Sequence, residues 1–401
     1  MFKKMTSLIL VGLLVLPLTG CWNRRELNEL GITVGIGIDK IGSEYKITAQ
    51  VVVPSLVAGK GGSGDGGLPV TIFTATNSSV LEALRQMTTT APRRIYLSHL
   101  RMMIVGESMA REGLNDVLDF FSRSHEVRSD FFIAIAKKDS ASNILKLLTP
   151  LEKIPANSMF LSLQASEKFW APTKGFYLDD LLNDFSISGN SPVITGIEIK
   201  GNKSLINQAE NTDKLLPPVK LEYVGLGVFK KDKLIGWLNP SESKAYNYIT
   251  GKVEKTVGHL DCPEGGGRVT IEVVRTDTKT TSHLVNGHPE IDVTMDIEAD
   301  VGEVTCNIKM DDPKTITMLN DLGSAYLKNL MEKTVEKAQT VFKTDFLGFG
   351  SVIHRTHPKE WDKMKDNWNE EFTSIPVHFK VNHYIRRVGS ITNTIVKETK
   401  E

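Results

Sequence analysis

The stretch Gly267-Arg268-Val269-Thr270-Ile271-Glu272-Val273-Val274-Arg275-Thr276-Asp277-Thr278 reads as a long strand, and Glu290 to Met310 reads as another. Between them, Lys279 to Pro289 holds Asn286-Gly287, the dipeptide of a tight hairpin turn. Directly downstream, Asp312 caps a long helix with Pro313 in its first turn, where proline is tolerated. Its apolar stripe is Ile316, Leu319, Leu327, Leu330, Ala338 and Val341. A second helix starts at Pro358 and buries Trp361, Met364, Trp368 and Phe372. A last strand, Pro376 to Arg386, puts Val377, Phe379, Val381 and Ile385 on one face and His378, Lys380 and Asn382 on the other. Long paired strands followed by grouped helices form an α+β pattern with mainly antiparallel sheets, not a doubly wound one.

Upstream, Leu221 to Phe229 and Leu234 to Leu238 form a hairpin around residues 230–233. Residues 201–218 are polar and carry Pro217-Pro218, which makes them the expected linker. The organisation expected is an N-terminal α/β region over 21–200, the linker, an α+β domain over 219–393, and a tail over 394–401. In the N-terminal region, strands are expected at Ile32 to Ile38, Lys46 to Pro54, Val70 to Ala75, Leu100 to Val105, Phe131 to Ala136 and Val193 to Lys200. Helices are expected after a cap at Ser78 or Asn77, with Val80, Leu81, Leu84 and Met87 inward, at Glu112 to Arg123, at Ser142 to Leu148 and at Leu178 to Phe185. Pro150 to Phe176 reads as mixed and loop-rich. Gly61 to Gly67, five glycines with Ser63 and Asp65 and no Gly-Lys-Ser/Thr ending, reads as a surface loop rather than a phosphate cradle. Gly35-Ile36-Gly37 reads as a strand that a neighbour must approach closely.

Over all 401 residues the 48 Lys and Arg balance the 48 Asp and Glu, which speaks against a nucleic-acid binder. Hydrophobic residues make up 40%, ordinary for a soluble globular chain and far from a polytopic membrane protein. The N-terminus is distinct. Lys3 and Lys4 precede an uncharged run from Met5 to Leu18, too short to span a bilayer and the right length for a signal-peptide core. It ends Leu18-Thr19-Gly20-Cys21, which resembles a bacterial lipobox. Residues 1–20 are then a signal peptide, cleavage falls between Gly20 and Cys21, and the Cys21 thiol carries a diacylglycerol group. That lipid would be the membrane anchor, and no other cofactor is expected.

The titratable and metal-ligating residue types fall in structural rather than catalytic patterns. His354 and His357 precede the Pro358 helix, and His378 and His383 fall on opposite faces of one strand, so the latter two cannot chelate one ion. His383 falls on the apolar face and reads as a core histidine. No His-Glu-x-x-His, Cys-x-x-Cys or Gly-x-Ser-x-Gly occurs. Asp179-Asp180 and Asp311-Asp312 sit near helix starts, where negative charge is favoured. Cys262 and Cys306 are either disulfide partners, placed opposite each other by a hairpin centred near residue 284, or two buried free thiols. No metal site and no catalytic residue is expected.

Cys21-Trp22-Asn23-Arg24-Arg25-Glu26-Leu27-Asn28-Glu29-Leu30, followed by Gly35-Ile36-Gly37-Ile38-Asp39, resembles the mature start of the Ger(x)C family, the C subunits of spore germinant receptors. The similarity continues through His99 to Glu107, Ala110 to Gly113, Arg123 to Arg128, Gly225 to Gly236, Gly251-Lys252, Gly348-Phe349-Gly350 through His354-Arg355, His357 to Trp361, Trp368 and Ile385-Arg386-Arg387. Asn23 stands where the family often has an acid, and His383 where a β-branched residue is usual. The resemblance implies three mixed α/β domains and a non-enzymatic lipoprotein on the outer face of the inner spore membrane. It implies two integral-membrane partner subunits, one similar to transporters, acting in nutrient sensing. Whether this chain touches the nutrient is left open. The alternative is a solute-binding lipoprotein of an ABC-type importer, which would need two lobes of alternating βα units.

Overall fold

The computed structural model describes residues 2, 5, 6, 26–58, 67–208, 210–262 and 266–389. Gly20 and Cys21, most of the glycine-rich segment, and the tail at 394–401 lie outside the described residues.

The first sheet uses strands β1 (Leu30–Ile41), β2 (Glu44–Val52), β3 (Val70–Asn77), β4 (Arg94–Tyr96), β5 (Met102–Gly106), β6 (Phe132–Ala136), β7 (Val193–Gly201), β8 (Val219–Lys230) and β9 (Lys233–Trp237). Their order is β3-β2-β1-β5-β6-β7-β8-β9, with β4 beside the start of β1. The centre, β1-β5-β6-β7, is parallel and both flanks are antiparallel. Parallel neighbours need crossovers, and helices supply them. The helices of six or more residues described in this half are α1 (Val80–Gln86), α2 (Glu107–Glu112), α3 (Asn115–Arg123), α4 (Ala141–Lys146), α5 (Pro155–Phe169) and α6 (Leu178–Ser186).

Helices cover both faces, so β5 and β6 are buried at every residue. Met103, Val105, Ile133 and Ile135 join one core with α1, α3 and α6. Met102, Ile104, Phe132 and Ala134 join another with α4 and α5. Gly35 and Gly37 lie under α4: a β-carbon on either would meet Leu145 at 3.0 Å. Asp39 then accepts from the Ala141 and Ser142 N–H groups at 2.8 and 3.0 Å and caps that helix. The Gly-Ile-Gly-Ile-Asp run is thus a docking surface for one helix and its N-terminus.

The second sheet follows helix α7 (Pro240–Ile249). Its strands β10 (Thr256–Asp261), β11 (Arg268–Val285), β12 (His288–Val304) and β13 (Val377–Arg387) pair in that order. The first three are antiparallel, and β13 runs parallel to β12. Asn286 and Gly287 turn the β11–β12 hairpin with φ of +53° and +84°. Helix α8 (Pro313–Lys337) lies against β13, and α9 (Phe349–Thr356) and α10 (Pro358–Met364) follow. Asp312 caps α8 through the Lys314 N–H. The architecture is a mixed α+β fold in which, among the described residues, antiparallel pairings outnumber parallel ones.

Several expectations need correction. Pro150 to Phe176 is not loop-rich but holds the 15-residue α5, whose Ala156, Met159 and Leu163 are buried. The helix expected from Glu112 is two helices, α2 and α3. Leu81 and Val341 are exposed; Ala83 takes the inward place in α1, and the α8 stripe stops at Ala338, where the chain enters a π-type turn. The helix from Pro358 breaks into short segments, although Trp361, Trp368 and Phe372 are buried. The strand read to Met310 ends at Val304. Residues 201–218 join two neighbouring strands of one sheet, which pair from Gly201↔Val219 onward. Asn211 fastens this segment, donating to the Leu148 carbonyl at 2.7 Å and accepting from the Val219 N–H at 3.0 Å.

Candidate functional site

A cavity of about 230 Å³ lies where the second sheet meets α7, α8 and the chain leaving α5. Its walls are built by local rules. Asn239 and Glu242 form a reciprocal capping box that starts α7 at Pro240. Asn247, on the buried side of α7, donates to the Ala171 and Thr173 carbonyls at 2.6 and 3.3 Å. The Thr256 hydroxyl donates to the Trp170 carbonyl at 2.8 Å. These bonds hold Trp170 and Pro172 beside α7, whose Lys244 and Tyr248, four residues apart, share the cavity face.

Helix α8 contributes Gly323, Tyr326, Leu327 and Leu330, and β10 and β11 contribute Val257, Leu260, Ile271 and Val273. His383 comes from β13 and is 4% exposed. Its ring lies over Gly323, where a β-carbon would sit 2.9 Å from Cγ. Trp170 and Tyr326 are about half exposed and form the mouth.

Lys244 is the cation of this site. Its Nζ donates to the Val257 carbonyl at 2.9 Å and sits 4.7 Å from the centre of the Trp170 ring. Burial pushes its pKa down to about 8. Burial likewise lowers His383 to about 4, so the ring is neutral at pH 7. Its Nδ1 lies 3.5 Å from Asn320 Oδ1, which accepts the shorter bond of the Ile385 N–H at 2.8 Å. Acidic side chains are missing from the lining among the described residues.

The other expected positions lie elsewhere. His378 is exposed and bonds Glu290 at 2.8 Å. His354 stacks on Trp361, and His357 Nε2 lies 3.2 Å from the Ser282 carbonyl. Asp180 accepts from the Tyr177 N–H at 3.1 Å, a capping role. Among the described residues no group of three or more His, Cys, Asp or Glu is arranged to hold a metal ion. Cys262 and Cys306 are joined by a disulfide with Cα atoms 6.5 Å apart. The hairpin centred near 284 does not bring them together. It turns at 286–287 and pairs Val269 with Val304, which leaves Cys262 outside it. Cys262 follows β10, Cys306 follows β12, and the bridge crosses the start of β11.

Asp345 is a functional-looking group that sequence reading missed. It is buried and accepts from the N–H groups of Leu347, Gly348 and Gly350 and from Trp368 Nε1, at 2.7 to 3.2 Å. Burial raises its pKa to about 6 against those donors. It organises the Gly348-Phe349-Gly350 turn and the Trp368 ring, two of the features that carry the family resemblance.

Two family models match the chain. "Spore germination protein N-terminal domain" covers residues 23–199, and "Spore germination B3/GerAC like, C-terminal" covers 224–389. Spore germination protein KC of Bacillus subtilis (strain 168) is 33% identical over the full length of both chains. The chain belongs to this spore germination family.

Other members are more distant. Spore germination protein B3 of the same organism is 23% identical, over 97% of this chain and 99% of its own. The crystal structure of the GerBC protein matches 88% of this chain and 97% of its own with a TM-score of 0.53 at 20% identity, a likeness of fold. Trp170 and Pro172 of the pocket fall in the N-terminal family region, and the other lining residues fall in the C-terminal one. None of the described helices is long and apolar enough to cross a membrane.

Proposed function

We propose that this chain is the lipid-anchored C subunit of a nutrient germinant receptor. The full-length similarity to spore germination protein KC carries the reading. The Leu18-Thr19-Gly20-Cys21 sequence behind a charged and then apolar N-terminus supports the anchor. The chain is cut before Cys21, takes a diacylglycerol group there, and sits on the outer face of the inner spore membrane. Two acyl chains hold such an anchor stably, at ~0.8 kcal/mol per buried CH₂.

Its role is to present a folded surface to two integral-membrane subunits, one of them transporter-like. Confinement to the membrane plane raises its effective concentration beside them. No catalytic step is assigned.

The test is Cys21→Ala in spores. The variant folds normally, and its N-terminus carries no lipid mass. Assembly with membrane subunits and germination on nutrient both fall. Unchanged assembly and germination would remove anchoring from the account.

A further inference from the structure

We propose that the cavity between α7, α8 and the second sheet binds a small apolar monocarboxylate, held by Lys244 and covered by Trp170. This goes beyond the receptor reading and does not rest on it.

Three observations select that chemistry. The first is an uncompensated cation. Among the described residues no carboxylate lies within ion-pair distance of Lys244, whose only hydrogen bond is to the Val257 carbonyl. A half-buried ammonium with one acceptor leaves two N–H donors for an occupant, and an anionic one restores the charge lost to burial.

The second is the wall. Leu327, Leu330, Ile271 and Val273 line the same cavity as the cation with apolar surface, and Trp170 lies half exposed at the mouth. The occupant therefore needs an apolar or aromatic body. A volume of about 230 Å³ is below that of drug-sized sites, typically ~300–1,000 Å³, so the body is small.

The third is the absence of any acid from the described lining. The ammonium of a free amino acid would enter with no anionic partner and pay its desolvation uncompensated. The site therefore favours a carboxylate that lacks an amino group, and it discriminates against amino acids.

Three probes share one phenyl body and separate these features: 3-phenylpropionate, 3-phenylpropanamide and L-phenylalanine. Each is titrated calorimetrically into the full mature chain held in phospholipid nanodiscs, with empty nanodiscs subtracted. We expect saturable binding of 3-phenylpropionate, with the amide and the amino acid each ~10-fold weaker or more. Lys244→Met keeps the apolar stem and brings the acid down to the affinity of the amide. Trp170→Ala weakens acid and amide together.

The ranking on the unaltered protein decides the matter even where a variant fails to fold. An acid that binds no more tightly than the amide, an amino acid that binds more tightly than the acid, or no saturable binding of any probe overturns the proposal. So does a Lys244→Met protein that folds and keeps the preference for the acid.

Discussion

Gly323 on α8 and His383 on β13 are complementary in shape: the imidazole occupies the space that a β-carbon on residue 323 would need, 2.9 Å from Cγ. A glycine inside a helix costs about 1 kcal/mol relative to alanine. Here the vacancy is filled by a side chain from another element. Gly323→Ala should therefore destabilise the protein by about 1–2 kcal/mol, the overpacking outweighing the gain in helix propensity. Adding His383→Val should recover most of it. Denaturant unfolding of the two single variants and the double variant measures this coupling, and strict additivity would contradict it.

The same histidine makes stability pH-dependent. Its pKa is about 4 in the folded chain and ordinarily 6.5. A lowered pKa gives stability that is present above 6.5 and is lost as the pH falls through 4. The linkage amounts to about 3 kcal/mol by pH 4. Between pH 7 and 4, wild type should lose about 3 kcal/mol more than His383→Val. Parallel stability curves for the two proteins would show that the ring is not buried and neutral.

Asp345 gathers four N–H donors around one buried carboxylate. Asn in its place offers a donor where Gly350 N–H and Trp368 Nε1 need an acceptor. Two donors left unpaired cost about 1–3 kcal/mol each, so Asp345→Asn should destabilise by about 2–6 kcal/mol. Trp368 fluorescence should shift toward that of a solvent-exposed indole even in the folded variant. An unshifted spectrum with unchanged stability would deny Asp345 this organising role.

The Cys262–Cys306 bridge closes a loop with a sequence separation of 44 residues. In the chain-entropy model such a loop contributes roughly 4 kcal/mol. Both cysteines are buried, at 5% and 3% exposure, so reductant should act only on the unfolded chain. Cys262→Ser with Cys306→Ser should unfold at correspondingly lower denaturant. Thiol labelling of the native protein without reductant should be nil.

Periodicity made the second sheet legible. Asn286-Gly287 and the alternation of β13 are local signals, and a hairpin turn and an amphipathic strand need nothing from elsewhere. The parallel centre of the first sheet was hidden. Strands β5 and β6 are buried on both faces and read as plain apolar runs, which do not reveal their neighbours. Helix α5 was missed because Ala156, Met159 and Leu163 are a sparse stripe among polar residues.

The pocket was hidden for a different reason. Its Trp170, Lys244, Gly323 and His383 span more than two hundred positions and converge only in three dimensions. A glycine in mid-α8 and a histidine on the apolar face of β13 are its traces in the sequence, and of the two only the histidine stands out there. The cysteine pair is legible in the sequence, but the bridge spans the start of β11 from the end of β10 to the end of β12 rather than closing a hairpin.

The central claim is a lipid-anchored subunit of a membrane receptor. Affinity purification of the tagged chain from detergent-solubilised spore membranes, with mass spectrometry of what accompanies it, tests that claim directly. The account predicts two multi-spanning proteins, one transporter-like, bound to a chain whose N-terminus is a lipidated Cys21. Recovery of a permease together with an ATPase would contradict it and favour solute import.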